Sequence, residues 1–138
     1  MKKFITAIIV LAVVIGGYFL WSSNEVNDYG LTDEEQEMIL QDSQLSLRDF
    51  SIKAKSGEYT ILDVRTPEEI AEYKPFADAV ELDFYEEDFE DKIKAYDREG
   101  KYLVYCMSGG RSGQAVLLMN KLGFTEVFDL AGGIINAR

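Results

Sequence analysis

Residues 102–112 read YLVYCMSGGRS, and this stretch decides how the chain folds. The first four residues form a short apolar and aromatic run that is typical of a buried strand. Apolar residues at helical spacing over residues 112–122 predict a helix directly after it. Cys106 therefore stands at the carboxyl end of a strand, which is where parallel α/β sheets carry their sites.

The same alternation extends on both sides of this stretch. Short apolar runs predict strands, while caps, Pro67 and Gly57 mark helix ends between them. The predicted strands cover residues 59–64, 79–82, 102–105 and 127–130, and the predicted helices cover residues 47–55, 67–73, 86–96 and 112–122. Alternating strands and helices predict an α/β fold with a central, mainly parallel sheet flanked by helices.

The loop after Cys106 combines features that suit an anion. Gly109 and Gly110 permit backbone conformations in which successive N–H groups turn inward and form a nest. The following helix adds its positive N-terminal end, and Arg111 adds a charged, planar fork of donors. Such surroundings favour the thiolate, the nucleophilic form of cysteine. A single cysteine after an apolar strand is more often inert, but these neighbours favour a reactive one.

The chain has one cysteine and no histidine. A lone cysteine forms no internal disulfide, and without histidine it makes a structural zinc site untenable. Ser-His and Cys-His hydrolases are excluded because no imidazole base is present.

Three stretches resemble the rhodanese-like, single-domain sulfurtransferases over about residues 45–138. Residues 106–115 are similar to the family's active-site loop. Residues 62–69, LDVRTPEE, resemble its first signature, in which an Asp and an Arg support the site. Residues 123–134 resemble its C-terminal segment. Residues 74–80 depart from the family, where a His and a Gly are usual.

This resemblance implies a rhodanese-like fold and a sulfurtransferase. A donor such as thiosulfate or a persulfide would give its outer sulfur to Cys106, and the resulting persulfide would pass it to a thiol or cyanide. No metal or organic cofactor is implied. Cys106 is the implied catalytic residue; the implied substrate-binding residues are Met107, Ser108, Gly109, Gly110 and Arg111, and the site-supporting residues are Asp63, Arg65 and Ser112.

Two other functions stay open at this point. One is a non-catalytic rhodanese-like module that binds a partner or senses redox state. The other is a small Cys phosphatase, which is disfavoured because phosphatase relatives have five residues between the Cys and the Arg, and this chain has four. Asp63 could act as a general base, but a carboxylate paired with backbone or Arg65 is the preferred interpretation. Tyr102 and Tyr105 are interpreted as core residues.

The N-terminal region predicts a membrane anchor. Residues 4–21 carry no charge and would form about 27 Å of helix, while Lys2 and Lys3 precede them. We expect a single-pass anchor over residues 1–21 with the N-terminus cytoplasmic and the domain extracytoplasmic. The alternative is a cleaved signal peptide and an exported domain.

Residues 22–44 form an acidic stretch that predicts a linker. Thr32 and Glu35 make a capping box that predicts a short helix over residues 33 to about 41, although a solvated spacer is preferred. Residues 22–138 contain 25 acidic and 12 basic residues, a formal charge of −13. Such a surface repels nucleic acid.

Overall fold

A computed structural model of the chain describes residues 28–137. The strands are β1 (Gln44–Leu45), β2 (Thr60–Asp63), β3 (Val80–Glu81), β4 (Lys101–Tyr105) and β5 (Glu126–Leu130). The helices are α1 (Asp33–Ser43), α2 (Leu47–Ser56), α3 (Pro67–Glu72), α4 (Phe89–Lys94) and α5 (Gly110–Lys121), and a 3₁₀ helix covers Ile134–Ala137. Every strand and helix predicted for residues 45–138 forms. The sequence did not predict β1 or the 3₁₀ helix.

The strands form one sheet in the order β1-β5-β4-β2-β3, and each of the four pairings is parallel. The predicted α/β architecture with a parallel sheet is therefore confirmed. β4 is the central strand, and Cys106 follows directly at its carboxyl end. In the pairing of β2 with β4, Asp63 lies opposite Tyr105, so the ends of both strands meet at the same edge.

Side chains of β4 alternate between the two faces of the sheet. Leu103 and Tyr105 join a buried cluster with Phe50 of α2. The Phe50 and Tyr105 rings meet edge to face with centroids 6.2 Å apart. On the other face, Tyr102 packs edge-on against Tyr96 and Phe124. The central strand is thus covered on both sides, which fixes the position of the residue that follows it.

Local capping explains where α3 begins. The Thr66 hydroxyl accepts a hydrogen bond from the Glu69 amide, and the Glu69 carboxylate accepts one from the Thr66 amide. Pro67 occupies the first helical position, where its missing N–H costs nothing. This capping box satisfies two orphan donors and fixes the orientation of Glu69.

The short helix considered for residues 33 to about 41 forms as α1, so the preferred interpretation of a solvated spacer is wrong for Asp33–Ser43. The Glu35 carboxylate accepts a hydrogen bond of 2.8 Å from the Thr32 amide, as the predicted capping box requires. The chain divides into two compact units whose boundary lies between Glu37 and Met38.

The predicted anchor over residues 4–21 lies outside the described residues, so the anchor and the topology stay predictions. Within residues 28–137, no helix has the length and apolar character needed to cross a membrane.

The side chain of Asp129 in β5 is a buried carboxylate that lacks a well-formed hydrogen bond among the described residues. Asp129 is 1% exposed, and neither of its oxygens makes a hydrogen bond of normal geometry among the described residues. Burial raises the pKa of Asp129 to about 6, and the nearby Ser112 side chain and Leu130 amide lower it only in part. Burial therefore favours the protonated form.

Asp129 should make stability fall as pH rises. Its pKa is higher in the folded chain than in the unfolded chain, so the contribution of Asp129 to stability is fully present below about pH 4 and is lost as the pH rises through about 6. The free energy of unfolding of Asp129→Asn minus that of wild type should be about 1 kcal/mol larger at pH 8 than at pH 5. Urea denaturation at the two pH values measures this, and the exposed Asp78→Asn serves as a charge-matched control. An equal effect of Asp129→Asn at both pH values would contradict the assignment.

Candidate active site

The Cys106 side chain is buried and held by the start of α5. Its residue is 0% exposed. The sulfur Sγ accepts hydrogen bonds from the Gly109 amide at 3.1 Å, the Ser112 amide at 3.5 Å and the Ser112 hydroxyl at 3.3 Å. Three donors directed at one sulfur stabilise negative charge on it. Of the two glycines predicted to turn their N–H groups inward, Gly109 donates to the sulfur, and the second backbone donor is Ser112.

The two loop glycines have different roles. Gly109 has a φ of 94°, in the left-handed region that favours glycine, and this conformation brings its amide to the sulfur. Gly110 is already the first residue of α5. Of the other predicted loop residues, Met107 is half-buried against the core cluster, and Ser108 is exposed.

Arg111 is engaged by an acidic residue that sequence reasoning did not assign. Its two terminal nitrogens donate to the two Glu69 carboxylate oxygens at 2.6 and 2.7 Å. This bidentate hydrogen bonding lowers the pKa of Glu69 to about 2 and raises the pKa of Arg111. The charge of Cys106 raises the pKa of Arg111 further. The guanidinium also lies 5.5 Å from the ring centroid of Tyr85. In the sequence, Glu69 stood out only as the last residue of the LDVRTPEE stretch and as a member of the predicted helix over residues 67–73. Neither position indicates a partner 42 residues away.

Asp63 and Arg65 form an ion pair whose side chains are both 0% exposed. Arg65 donates from Nε to Asp63 Oδ1 at 2.8 Å and from Nη2 to Oδ2 at 2.6 Å. The Tyr105 hydroxyl also donates to Oδ2 at 2.6 Å. The preferred interpretation of Asp63 as a paired carboxylate is confirmed. Tyr105, predicted to be a core residue, has this polar contact in addition to its packing.

The ion pair also reaches α3. Arg65 donates to the carbonyl of Glu69 at 3.3 Å and to that of Tyr73 at 2.9 Å. Burial alone would lower the pKa of Arg65, but the hydrogen bond and charge of Asp63 raise it overall. Among the described residues, hydrogen bonds to Cys106 Sγ come only from Gly109 and Ser112. Asp63 and Arg65 therefore connect to the cysteine loop through Tyr105 and α3, and their site-supporting role stays a prediction.

A turn after β5 holds the other side of the cysteine loop. The Ile134 amide donates to the Cys106 carbonyl at 3.1 Å, and the Ile135 amide donates to the Met107 carbonyl at 2.9 Å. Gly133 has a φ of 65°, and a Cβ built there would lie 2.4 Å from the Met107 carbonyl oxygen. Glycine is required at this position for both its conformation and its lack of a side chain.

Comparison with known proteins is consistent with this geometry. The model of the Rhodanese-like domain family matches residues 46–136. A curated protein of Allochromatium vinosum named Sulfurtransferase is 34% identical over 82 residues, which is 59% of this chain and 74% of that protein.

Solved structures show the same fold. A rhodanese-related protein from Thermoplasma volcanium is 31% identical, with a TM-score of 0.59 over 67% of this chain and 87% of that one. The polysulfide-sulfur transferase homodimer of Wolinella succinogenes is 21% identical, with a TM-score of 0.59 over 74% of this chain and 77% of that one. At that identity the likeness shows the fold alone.

Gly133→Ala should loosen the cysteine loop more than a comparable glycine change elsewhere. Gly57 has a φ of 75° with nothing within 4 Å of a built Cβ, so Gly57→Ala isolates the conformational cost of about 1–2 kcal/mol. Gly133→Ala adds a steric conflict with the loop backbone, which should cost about 1–3 kcal/mol more. Chemical denaturation measures the difference.

The rate of Cys106 alkylation supplies a second readout for the same pair of variants. The rate should rise in Gly133→Ala and stay close to wild type in Gly57→Ala, because only the first change moves the loop that covers the thiol. Equal stabilities and equal alkylation rates would show that the turn does not hold the loop.

Proposed function

The chain belongs to the rhodanese-like domain family of sulfurtransferases, and from this premise we propose that it transfers sulfane sulfur through a persulfide on Cys106. The donor would be a molecule such as thiosulfate or a persulfide, and the acceptor a thiol or cyanide. The observation that supports this most directly is the set of three hydrogen bonds from Gly109 and Ser112 to Cys106 Sγ. They support a thiolate without any imidazole base, in a chain that has no histidine.

The transfer proceeds in two displacements. The Cys106 thiolate attacks the outer sulfur of the donor, a new S–S bond forms, and the bond between the two donor sulfurs breaks. Sulfite or a thiolate leaves with the electron pair of the broken bond. An acceptor thiolate or cyanide then attacks the outer sulfur on Cys106 and regenerates the Cys106 thiolate. The amides at the start of α5 stabilise the charge that stays on the enzyme in both steps.

One observation favours a second candidate function. Cys106 is 0% exposed, so a donor reaches its sulfur only if the loop gives way. A closed thiol would suit a non-catalytic binding module, whereas redox sensing, like sulfur transfer, needs access to the sulfur. The phosphatase alternative has no comparable support, because only four residues separate Cys106 from Arg111.

Cys106→Ser should abolish sulfur binding and leave the fold in place. The serine hydroxyl can accept the same amide hydrogen bonds, but it cannot hold a transferable sulfur. After incubation with a donor and removal of the excess, cyanolysable sulfur should approach one per chain in wild type and vanish in the variant. Urea denaturation of both proteins serves as the control for folding.

The same assay separates the two candidate functions. Sulfur bound to Cys106→Ser at the wild-type level would exclude Cys106 as the carrier. A folded wild type that accepts no sulfur from any donor would favour the non-catalytic module.

A further inference from the structure

Both arginines of the site are already neutralised by carboxylates. Arg111 is held by both oxygens of Glu69, and the two side chains are only 16% and 26% exposed. Arg65 is held by Asp63 with both side chains at 0% exposure. The positive charge beside Cys106 is thus balanced before any donor arrives. An anionic donor must compete with Glu69 for the donors of Arg111.

We propose that Glu69 makes the site selective for thiol persulfides over dianionic inorganic donors such as thiosulfate. This inference rests on the proposed sulfur transfer through Cys106 and names the class of donor. A thiol persulfide brings at most one negative charge to the site, and none in the protonated form that gives up its outer sulfur, whereas thiosulfate brings two negative charges. Glu69 opposes the second far more than the first.

The charges along the reaction point the same way. Attack of the Cys106 thiolate on thiosulfate assembles three negative charges, two of which leave on sulfite. Attack on a protonated persulfide involves only one negative charge, that of the Cys106 thiolate. This charge moves to the leaving thiolate, while the proton stays with the transferred sulfur. Three negative charges near Arg111 are stabilised best by an unpaired guanidinium, and the bidentate bond to Glu69 already occupies Arg111.

An aromatic side chain beside Arg111 suits an organic donor. Tyr85 is 68% exposed, and its ring centroid lies 5.5 Å from the Arg111 guanidinium carbon. Its ring offers apolar contact area to the organic group of a persulfide. Thiosulfate has no group that would use this surface.

The test compares two donors on matched variants. The donors are thiosulfate and the persulfide of 2-mercaptoethanol, whose organic group is uncharged, and the readout is kcat/KM for loading of Cys106. Glu69→Gln keeps the capping box but releases Arg111, because glutamine still accepts from the Thr66 amide. The control is Glu68→Gln, which removes the same charge from the exposed neighbouring position of α3. The double variant Glu69→Gln/Arg111→Ala tests whether any gain depends on the released guanidinium.

Wild type should use the persulfide at least about tenfold better than thiosulfate, since one charged hydrogen bond corresponds to about this factor. Glu69→Gln should raise kcat/KM for thiosulfate about tenfold, which narrows the ratio of kcat/KM for the persulfide to kcat/KM for thiosulfate. Glu68→Gln should leave kcat/KM for thiosulfate unchanged. The double variant should lose the increase seen in Glu69→Gln. If wild type uses both donors equally well, or if Glu69→Gln leaves the ratio where it was, the inference is overturned and the sulfurtransferase proposal survives. If neither donor loads Cys106 in folded wild type, both are overturned.

Discussion

The buried ion pair of Asp63 and Arg65 is the interaction on which the rest of this structure depends. Two opposite charges with no solvent contact cost several kcal/mol each to desolvate, and they persist only when every donor and acceptor is used. Here Asp63 accepts from Arg65 and from the Tyr105 hydroxyl, while Arg65 also donates to the Glu69 and Tyr73 carbonyls. The pair therefore ties the end of β2 to the end of β4 and to α3. Its value lies in geometry rather than in net stability.

From this pair the constraints reach Cys106 by two routes. Tyr105 is the residue directly before Cys106, so a hydroxyl fixed on Asp63 also fixes where the cysteine loop begins. On the other route, Arg65 donates to the backbone of α3, and the capping box orients the Glu69 side chain. The Glu69 carboxylate then binds Arg111 at the start of α5. One buried charge pair thus sets both the position of the thiol and the charge balance next to it.

The sequence carried most of the fold because its signals are local. Apolar runs, helix caps, Pro67 and Gly57 act within a few residues, and the strands and helices they predict for residues 45–138 all form. The cysteine loop was also predictable, since glycines and an arginine at a strand-to-helix junction have a direct physical meaning. The pairing of Arg111 with Glu69 was not, because it joins residues 42 positions apart through the parallel pairing of β2 with β4. The burial of the Asp129 carboxylate could not be predicted either, because the position of Asp129 in the sequence does not reveal how completely it is buried.

Burial of Cys106 and its proposed chemistry have a common origin. The amides that stabilise charge on the sulfur reach it only because the loop wraps closely around it, and that wrapping also excludes solvent. On the inner side, the turn at Gly133 contacts the loop backbone, so the loop cannot move in that direction. Ser108 and Gly110 are the exposed members of the loop, so access to the sulfur has to open on their side, next to Arg111. A donor approaching there would meet an arginine that is already paired with Glu69, and this pairing is the physical basis of the proposed discrimination by charge.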